Sequence, residues 1–160
     1  MSDKAQAALA IFESQAGSSD GHSDWMEIDQ ERINAFADAT LDHQFIHIDP
    51  EKSAELSPYK TTIAHGFLTL SLLVHLTAQI PPRDPAVHEG MIMGVNYGLD
   101  KVRFPAPVPV NSKIRAERTL LSAELKAPNT IQLKTRVTIE IEGSDKPVCV
   151  AESLMRMIYA

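Results

Sequence analysis

A carboxylate and an imidazole lie five residues apart near the middle of the chain, at Asp42 and His47. Histidine is the side chain whose unperturbed pKa lies nearest neutrality, so it can take a proton from a water molecule that a carboxylate holds in place. This spacing would separate the two side chains on a regular helix, whereas a polar turn within residues 41–50 can bring them together. The pair predicts water activation. The alternative, a cap or turn role for Asp42 and simple packing for His47, stays open.

The backbone of Gly66 is a second group that could take part in chemistry, because it follows Ala64-His65 and begins a long apolar segment. The first N–H groups of a helix have no internal partner and carry the positive end of its dipole. Glycine lets a ligand oxygen approach the backbone closely, so the Gly66 N–H could stabilise negative charge on that oxygen. Gly66 could equally serve tight packing between a helix and a sheet. With the Asp42–His47 pair, it indicates chemistry on a carbonyl compound.

Several other polar residues in this region have simpler interpretations. We expect His65 to be a buried histidine whose hydrogen bonds are satisfied, and Ser71 to bond back to the carbonyl four residues earlier in its helix. His43, His47 and Asp49 could imitate a metal site, but no cysteine or further carboxylate motif supports one.

Basic residues in a later strand form a candidate anion site. Lys101 and Arg103 lie two residues apart and share a strand face, which suits the anchoring of a phosphate. A solvated strand face is the alternative. Asn96 is a further candidate because it interrupts the same apolar strand.

Composition limits the possible partners and compartment. A net charge of −6 argues against nucleic-acid binding, which needs a basic face. Cys149 is the only cysteine, so no intrachain disulfide can form; we expect it to act as a small buried hydrophobic residue in a reducing compartment. The N-terminus lacks a signal-peptide pattern, and the apolar segment 67–80 is too short to span a bilayer. These features predict a cytoplasmic protein with neither a nucleic-acid nor a membrane partner.

The hydrophobic pattern predicts helices first and strands afterwards. Helices are expected at 3–12, 29–40 and 66–80 and after Asp49-Pro50, with a flexible break at 17–21 and a short strand at 25–28. Four strands are expected at 92–104, 113–125, 130–142 and 147–159. The third alternates apolar and polar residues, which is typical of an antiparallel sheet with one covered face. An apolar helix followed by such strands predicts an α+β domain with the helix against the sheet.

These motifs together resemble the MaoC-like dehydratase family, which includes the R-specific enoyl-CoA hydratases, and in particular its NodN-like branch. The signature Asp-x-Asn-Pro-(Leu/Ile/Val)-His-x-Asp, followed by Ala-His-Gly, corresponds here to Asp42-His43-Gln44-Phe45-Ile46-His47-Ile48-Asp49 and Ala64-His65-Gly66. The resemblance extends to 96–98, 101–104 and 107–108. The chain departs from the signature at two positions. Gln44 stands where the signature has Asn, and Phe45 stands where the signature has Pro.

The resemblance implies a hot-dog fold, in which an antiparallel sheet wraps a long central helix. Residues 1–22 would form an N-terminal helix and flexible lead, and residues 23–160 a single domain. It implies a homodimer whose two sheets join into one, with no metal or redox cofactor required. The implied activity is reversible hydration of a trans-2-enoyl-CoA to an (R)-3-hydroxyacyl-CoA. An acyl-CoA thioesterase and a non-catalytic acyl-CoA-binding protein are the rival interpretations.

The resemblance also implies a role for each candidate residue. These roles are water activation for Asp42 and His47, an N–H for the thioester oxygen from Gly66, support from Ser71 and Asn96, and contacts with the CoA phosphates for Lys101 and Arg103.

Overall fold

The computed structural model describes residues 2–160, so Met1, the first residue of the predicted segment 1–22, lies outside the described residues. The strands are β1 Ser19–His22, β2 Met26–Ile28, β3 Met91–Arg103, β4 Ser112–Ala127, β5 Thr130–Ile141 and β6 Cys149–Tyr159. They form one antiparallel sheet in the order β1-β4-β5-β6-β3, with β2 also paired to β4. The four long strands lie within a few residues of their predicted positions.

Helices cover one face of this sheet and connect its strands. Their bounds are α1 Asp3–Gln15, α2 Gln30–Thr40, α3 Phe45–Ile48, α4 Pro50–Leu56, α5 Gly66–Ser71 and α6 Leu73–Ala78, with a 3-10 turn at Pro85–His88. Helices α5 and α6 pack on β4, β5 and β6, where Leu68, Leu73 and Leu76 join a core with Ile114, Val137 and Ile139. Within residues 2–160, no helix is both long and apolar enough to cross a bilayer.

The prediction of one uninterrupted helix over 66–80 is wrong at Leu72. There the N–H bonds to both Leu68 O and Leu70 O, a tighter turn that divides the segment into α5 and α6. The Ser71 hydroxyl donates to Phe67 O at 2.6 Å, as expected from the sequence. Because such a bond competes with the backbone for that carbonyl, it favours a bend or break in the helix. The two halves keep one course, since Leu76 N still donates to Leu72 O.

The outer face of the central helix pair is uncovered in the single chain. The sequence is apolar around most of this segment, which predicts a helix enclosed on all sides. Instead Phe67 is 69% exposed and Val74 is 47% exposed, while the opposite face is buried. The sheet therefore covers one side of the pair and leaves an apolar surface on the other.

The predicted flexible break at 17–21 is also wrong, because residues 19–22 form strand β1. Gly17 and Gly21 have positive φ angles of 92° and 105°, which turn the chain back onto β4. Asp20 then bonds to both Arg83 and Arg118, at 2.7 and 2.9 Å. The division of the chain at residue 22 stays a prediction.

Helix α1 packs over the far end of the sheet. Its apolar positions Ala5, Ala8 and Phe12 form a second buried cluster with residues such as Ile131 and Tyr159. The Tyr159 hydroxyl donates to Val87 O at 2.8 Å inside this cluster.

The single cysteine belongs to the main core. Cys149 begins β6 and is fully buried. Burial raises the pKa of its thiol to about 11. The predicted role of a small buried hydrophobic residue is confirmed.

Candidate active site

A tight turn after α2 carries the first candidate residue and a one-turn helix carries the second. Leu41, which follows α2 as its C-terminal cap, adopts the left-handed conformation (φ 64°) and turns the chain sharply at Asp42. His47 then lies on α3, with its side chain buried, whereas Asp42 is exposed. The turn predicted within 41–50 thus places the two residues together.

The hydrogen bonding of His47 leaves one ring nitrogen free. Its Nδ1 lies 2.7 Å from Ile63 O, and because a carbonyl oxygen only accepts, Nδ1 carries the hydrogen. The Nε2 of the neutral ring therefore holds a lone pair. Burial lowers the pKa of His47; the bond to Ile63 and the charge of Asp42 oppose this effect, and His65 adds to it. The net lowering favours the neutral ring, which is the form that can accept a proton.

His65 stacks on His47 and is incompletely hydrogen-bonded. The two ring centroids are 3.8 Å apart with an angle of 23° between the planes, and Phe36 packs on His65 at 5.0 Å. His65 Nε2 bonds to the backbone carbonyl of Asp42 at 3.0 Å, but its Nδ1 is buried and has no partner among the described residues. The prediction of a fully satisfied histidine is therefore wrong.

Asp42, His47 and His65 form what we call the Asp42 cluster. One ligand atom from each lies within 4.8 Å of the others. A carboxylate and neutral imidazole lone pairs are all acceptors, so a water molecule could donate both of its hydrogens here. The same spacing would also suit a divalent cation, whose histidine ligands commonly hold their second N–H on a carbonyl.

A second histidine–carboxylate group, the His22 cluster, lies on the sheet. It consists of His22, Glu117 and Glu140, with one ligand atom of each within 4.8 Å of the others. Arg115 bonds to Glu140 at 2.8 Å and stacks on the ring of Trp25.

The metal combination considered from the sequence, His43 with His47 and Asp49, is not assembled. His43 Nε2 contacts the Asp38 carboxylate at 2.9 Å, on the side of α2. The Asp49 carboxylate caps α4 by accepting from Lys52 N at 3.0 Å. Both side chains thus have local partners that hold them away from His47.

Gly66 begins α5 directly after His65. A Cβ at this position would lie 3.0 Å from the ring of Phe104, so the glycine permits a close helix–ring contact. As the first helical residue, Gly66 also has an N–H without an acceptor inside the helix. Ser71 lies at the end of α5, exposed and bonded to its own helix.

The remaining candidates lie on the edge strand β3, apart from the elements that form the Asp42 cluster. Asn96 is exposed and is opposite Met155 of β6. Lys101 Nζ lies 3.9 Å from the Glu152 carboxylate and is largely exposed. Arg103 donates to Val102 O at 2.7 Å.

Gln30 is a residue that sequence reasoning missed. Its side-chain nitrogen donates to His47 O at 2.7 Å, and its oxygen accepts from the buried Thr62 hydroxyl. It therefore joins the start of α2 to the backbone of α3 and to the segment before α5. A glutamine after the Asp29 cap carries no distinctive sequence signal.

A separate cavity lies between α1, α6 and the inner face of the sheet. Its volume is about 390 Å³, and its walls include Leu73, Leu133 and Met155, with Arg118 as a charged member. Among the described residues, those of the Asp42 cluster do not line it.

The antiparallel sheet with a central helix pair packed on it defines a hot-dog fold. Residues 11–142 match the family described as MaoC like domain. The chain therefore belongs to the MaoC-like dehydratase family, and the predicted fold and enzyme class, a hydro-lyase, are confirmed.

Two relatives and one solved structure illustrate this membership. The chain is 49% identical over 151 residues to 3-hydroxyacyl-thioester dehydratase Z of Mycobacterium tuberculosis, covering 94% of this chain and 96% of that protein. It is 42% identical over 146 residues to nodulation protein N of Rhizobium leguminosarum, covering 91% and 88%. The R-hydratase PhaJ1 from Pseudomonas aeruginosa matches the structure with a TM-score of 0.64 at 24% identity, covering 91% and 83%. This last likeness concerns the fold, and the two relatives agree with the resemblance to the NodN-like branch.

Proposed function

We propose that the chain adds water reversibly to a trans-2-enoyl-CoA to give an (R)-3-hydroxyacyl-CoA. The observation that carries the proposal is a buried His47 whose Nδ1 is bonded to Ile63 O, which leaves Nε2 to accept a hydrogen, in one 4.8 Å group with the Asp42 carboxylate. The 49% identical relative is named as a 3-hydroxyacyl-thioester dehydratase, which is the same reaction in the opposite direction.

In the proposed mechanism His47 and Asp42 share one water molecule. Nε2 of His47 takes one proton as the water oxygen bonds to C3, and the Asp42 carboxylate accepts the second hydrogen and holds the water in place. The electrons of the C2=C3 bond move onto the thioester oxygen as an enolate. The protonated His47 then returns its proton to C2 on the same face, so that one water is consumed and the residues are regenerated.

The Gly66 N–H would stabilise the enolate oxygen. A preorganised donor aimed at developing negative charge lowers the activation barrier by on the order of 3 kcal/mol. Gly66 suits this role because its N–H, the first of α5, has no acceptor inside the helix. Ser71, one helical turn further on, and Asn96 on β3 would have supporting roles.

We propose that strand β3 forms the interface of a homodimer. It pairs with β6 on one side only, and its side chains are largely exposed, including Ile92 (63%) and Tyr97 (55%). A long apolar edge strand recruits another strand unless it is covered. Pairing of two β3 strands would join the sheets, bring substrate entry near the interface and leave Lys101 and Arg103 to meet the CoA phosphates.

Sedimentation equilibrium tests the dimer. Ile92→Lys places a charge on the β3 edge and is expected to shift the protein from dimer to monomer, whereas Leu56→Lys is the matched control. Leu56 is 60% exposed at the end of α4, so a lysine there should leave the dimer intact. A monomeric wild-type protein, or equal effects of the two lysines, contradicts the interface.

The absorbance of crotonyl-CoA and of a longer trans-2-enoyl-CoA tests the activity. We expect the conjugated-enoyl band to disappear on adding the wild-type protein, without thiol release, and to persist with Asp42→Asn. The same acyl group on acyl carrier protein shows which thioester is preferred.

Other outcomes of this assay identify the rival functions. Release of thiol indicates a thioesterase. Tight binding of the thioester with no rate that depends on Asp42 or His47 indicates a non-catalytic binding protein.

A further inference from the structure

We propose that His65 is a third residue of the catalytic site, whose Nδ1 accepts a hydrogen bond from the attacking water and then from the 3-hydroxyl of the product. This inference rests on the proposed hydration and names a residue to which the sequence motif alone assigns no chemical role.

The first argument is the unpaired nitrogen. His65 is 2% exposed, and its Nδ1 has no partner among residues 2–160. Leaving a buried polar atom unpaired costs stability, so native proteins rarely do it without a ligand or a bound water to complete the bond. Bulk solvent does not reach this atom. The unpaired Nδ1 is explained if a group that is present during the reaction forms a hydrogen bond to it.

The second argument is the tautomer. His65 Nε2 donates to the Asp42 carbonyl, which only accepts, so Nε2 carries the hydrogen and Nδ1 of the neutral ring is an acceptor. A hydroxyl or water hydrogen is therefore what Nδ1 can bind. A thioester carbonyl oxygen, which offers no hydrogen, does not fit.

The third argument is the fixed position of the ring. Its two faces are held by His47 and Phe36, with centroids 3.8 and 5.0 Å away. Its backbone carbonyl accepts from Leu68 N and Thr69 N at the start of α5. The imidazole therefore cannot turn freely, and one of its two ring nitrogens lies within the same 4.8 Å group of ligand atoms as Asp42 and His47.

These contacts define what His65 does in the hydration. Of the two hydrogens on the water, one passes to His47 and the other stays on the oxygen as it bonds to C3. His65 Nδ1 shares this remaining hydrogen with the Asp42 carboxylate and orients the hydroxyl. In the dehydration direction the same bond positions the 3-hydroxyl for protonation by His47.

Two substitutions separate this role from that of anchoring the Asp42 turn. His65→Gln can place an amide N–H near the Nε2 position and keep the bond to Asp42 O, but it loses the acceptor at Nδ1. His65→Asn keeps an acceptor near Nδ1 and loses the Nε2 donor. We expect kcat/KM for the enoyl-CoA to fall at least about tenfold in His65→Gln, and less in His65→Asn. Wild-type activity in His65→Gln together with loss in His65→Asn would overturn the proposal in favour of a purely structural anchor.

A binding ratio provides a second readout that does not depend on turnover or on the fraction of folded protein. We compare the Kd of (R)-3-hydroxybutanoyl-CoA with that of butanoyl-CoA for Asp42→Asn and for Asp42→Asn/His65→Gln. The preference for the hydroxyl ligand should fall several-fold when Nδ1 is removed, and an unchanged ratio contradicts the proposal. If the wild-type protein hydrates no enoyl-CoA, the proposed function fails, whereas the ratio still reports on His65.

Discussion

The Asp42 cluster and the His22 cluster bring similar groups to similar distances but in opposite surroundings. In the Asp42 cluster both imidazoles are buried, and one nitrogen of each, Nδ1 in His47 and Nε2 in His65, is bonded to a backbone carbonyl. Among the described residues, no basic side chain forms an ion pair with Asp42. In the His22 cluster the groups lie at the surface and Arg115 bonds directly to Glu140.

This difference shows what turns a histidine–carboxylate pair into a site for proton transfer. Burial raises the pKa of Glu140, but the bonds from Arg115 and His22 outweigh it, so the net pKa lies below the usual value. The Glu140 carboxylate is thus already bonded to Arg115 and His22. In the Asp42 cluster the lone pairs remain available, because the backbone satisfies only the N–H side of each ring. Spacing alone does not distinguish the two clusters.

The largest expected effect on the rate distinguishes His47 of the Asp42 cluster from His22 of the His22 cluster. His47→Ala should lower the rate of enoyl-CoA hydration by roughly 10²–10⁴-fold, the usual contribution of a general base. His22→Ala is the matched control and should leave kcat/KM unchanged. Steady-state kinetics of both variants measure the difference, and comparable losses in the two would remove the distinction between the clusters.

A smaller effect is expected when the support of His47 is removed. Gln30→Glu keeps an acceptor for the Thr62 hydroxyl but loses the donor to His47 O, and should lower kcat/KM about tenfold. Gln132→Ala is the control, since Gln132 contacts Arg156 on the sheet at 3.3 Å. If Gln30→Glu retains full activity, the position of His47 does not depend on this contact.

The pH dependence of the reaction should show the lowered pKa of His47. Because activity requires the neutral ring, the acid limb of kcat/KM should have its midpoint below 6.5, the usual pKa of a histidine. The unfolded chain binds this proton at higher pH than the folded chain, so stability should rise with pH from the lowered pKa up to 6.5. Rates measured from about pH 5 to 8 test this expectation. A midpoint at or above 6.5 contradicts it.

The smallest effect concerns the ion pair in the His22 cluster. Arg115→Ala removes a partly exposed bond to Glu140, which contributes roughly 0.2–1 kcal/mol, and a stacking contact with Trp25 of similar size. The pKa of Glu140 should rise while enoyl-CoA hydration is unaffected. Urea unfolding and the rate assay together test this. A large loss of activity would show that the two clusters are coupled.

The features predicted correctly from the sequence depend on neighbouring residues. Alternation of Ile131, Leu133 and Val137 with polar residues indicates β5 because side chains in a strand point to opposite faces with a period of two. Asp42 and His47 are similarly close along the chain, so a single turn can join them. The bond from Ser71 to Phe67 O follows from a spacing of four within a helix.

The features that were missed depend on contacts between distant parts of the chain. His65 bonds to Asp42 across 23 residues, and Gln30 to Thr62 across 32. Strand β1 forms because it pairs with β4, about a hundred residues later, which a pattern of small residues at 17–21 does not indicate.

The buried Cys149 makes unfolding of this protein directly measurable by chemical labelling. Only a thiolate reacts readily with disulfide reagents, and this thiol is fully buried with a pKa of about 11. In the folded state it should be silent at mildly alkaline pH, so a reagent that detects free coenzyme A has little background. With excess reagent, the labelling rate of Cys149 reports how often the core around β6 opens, without a label introduced into the protein.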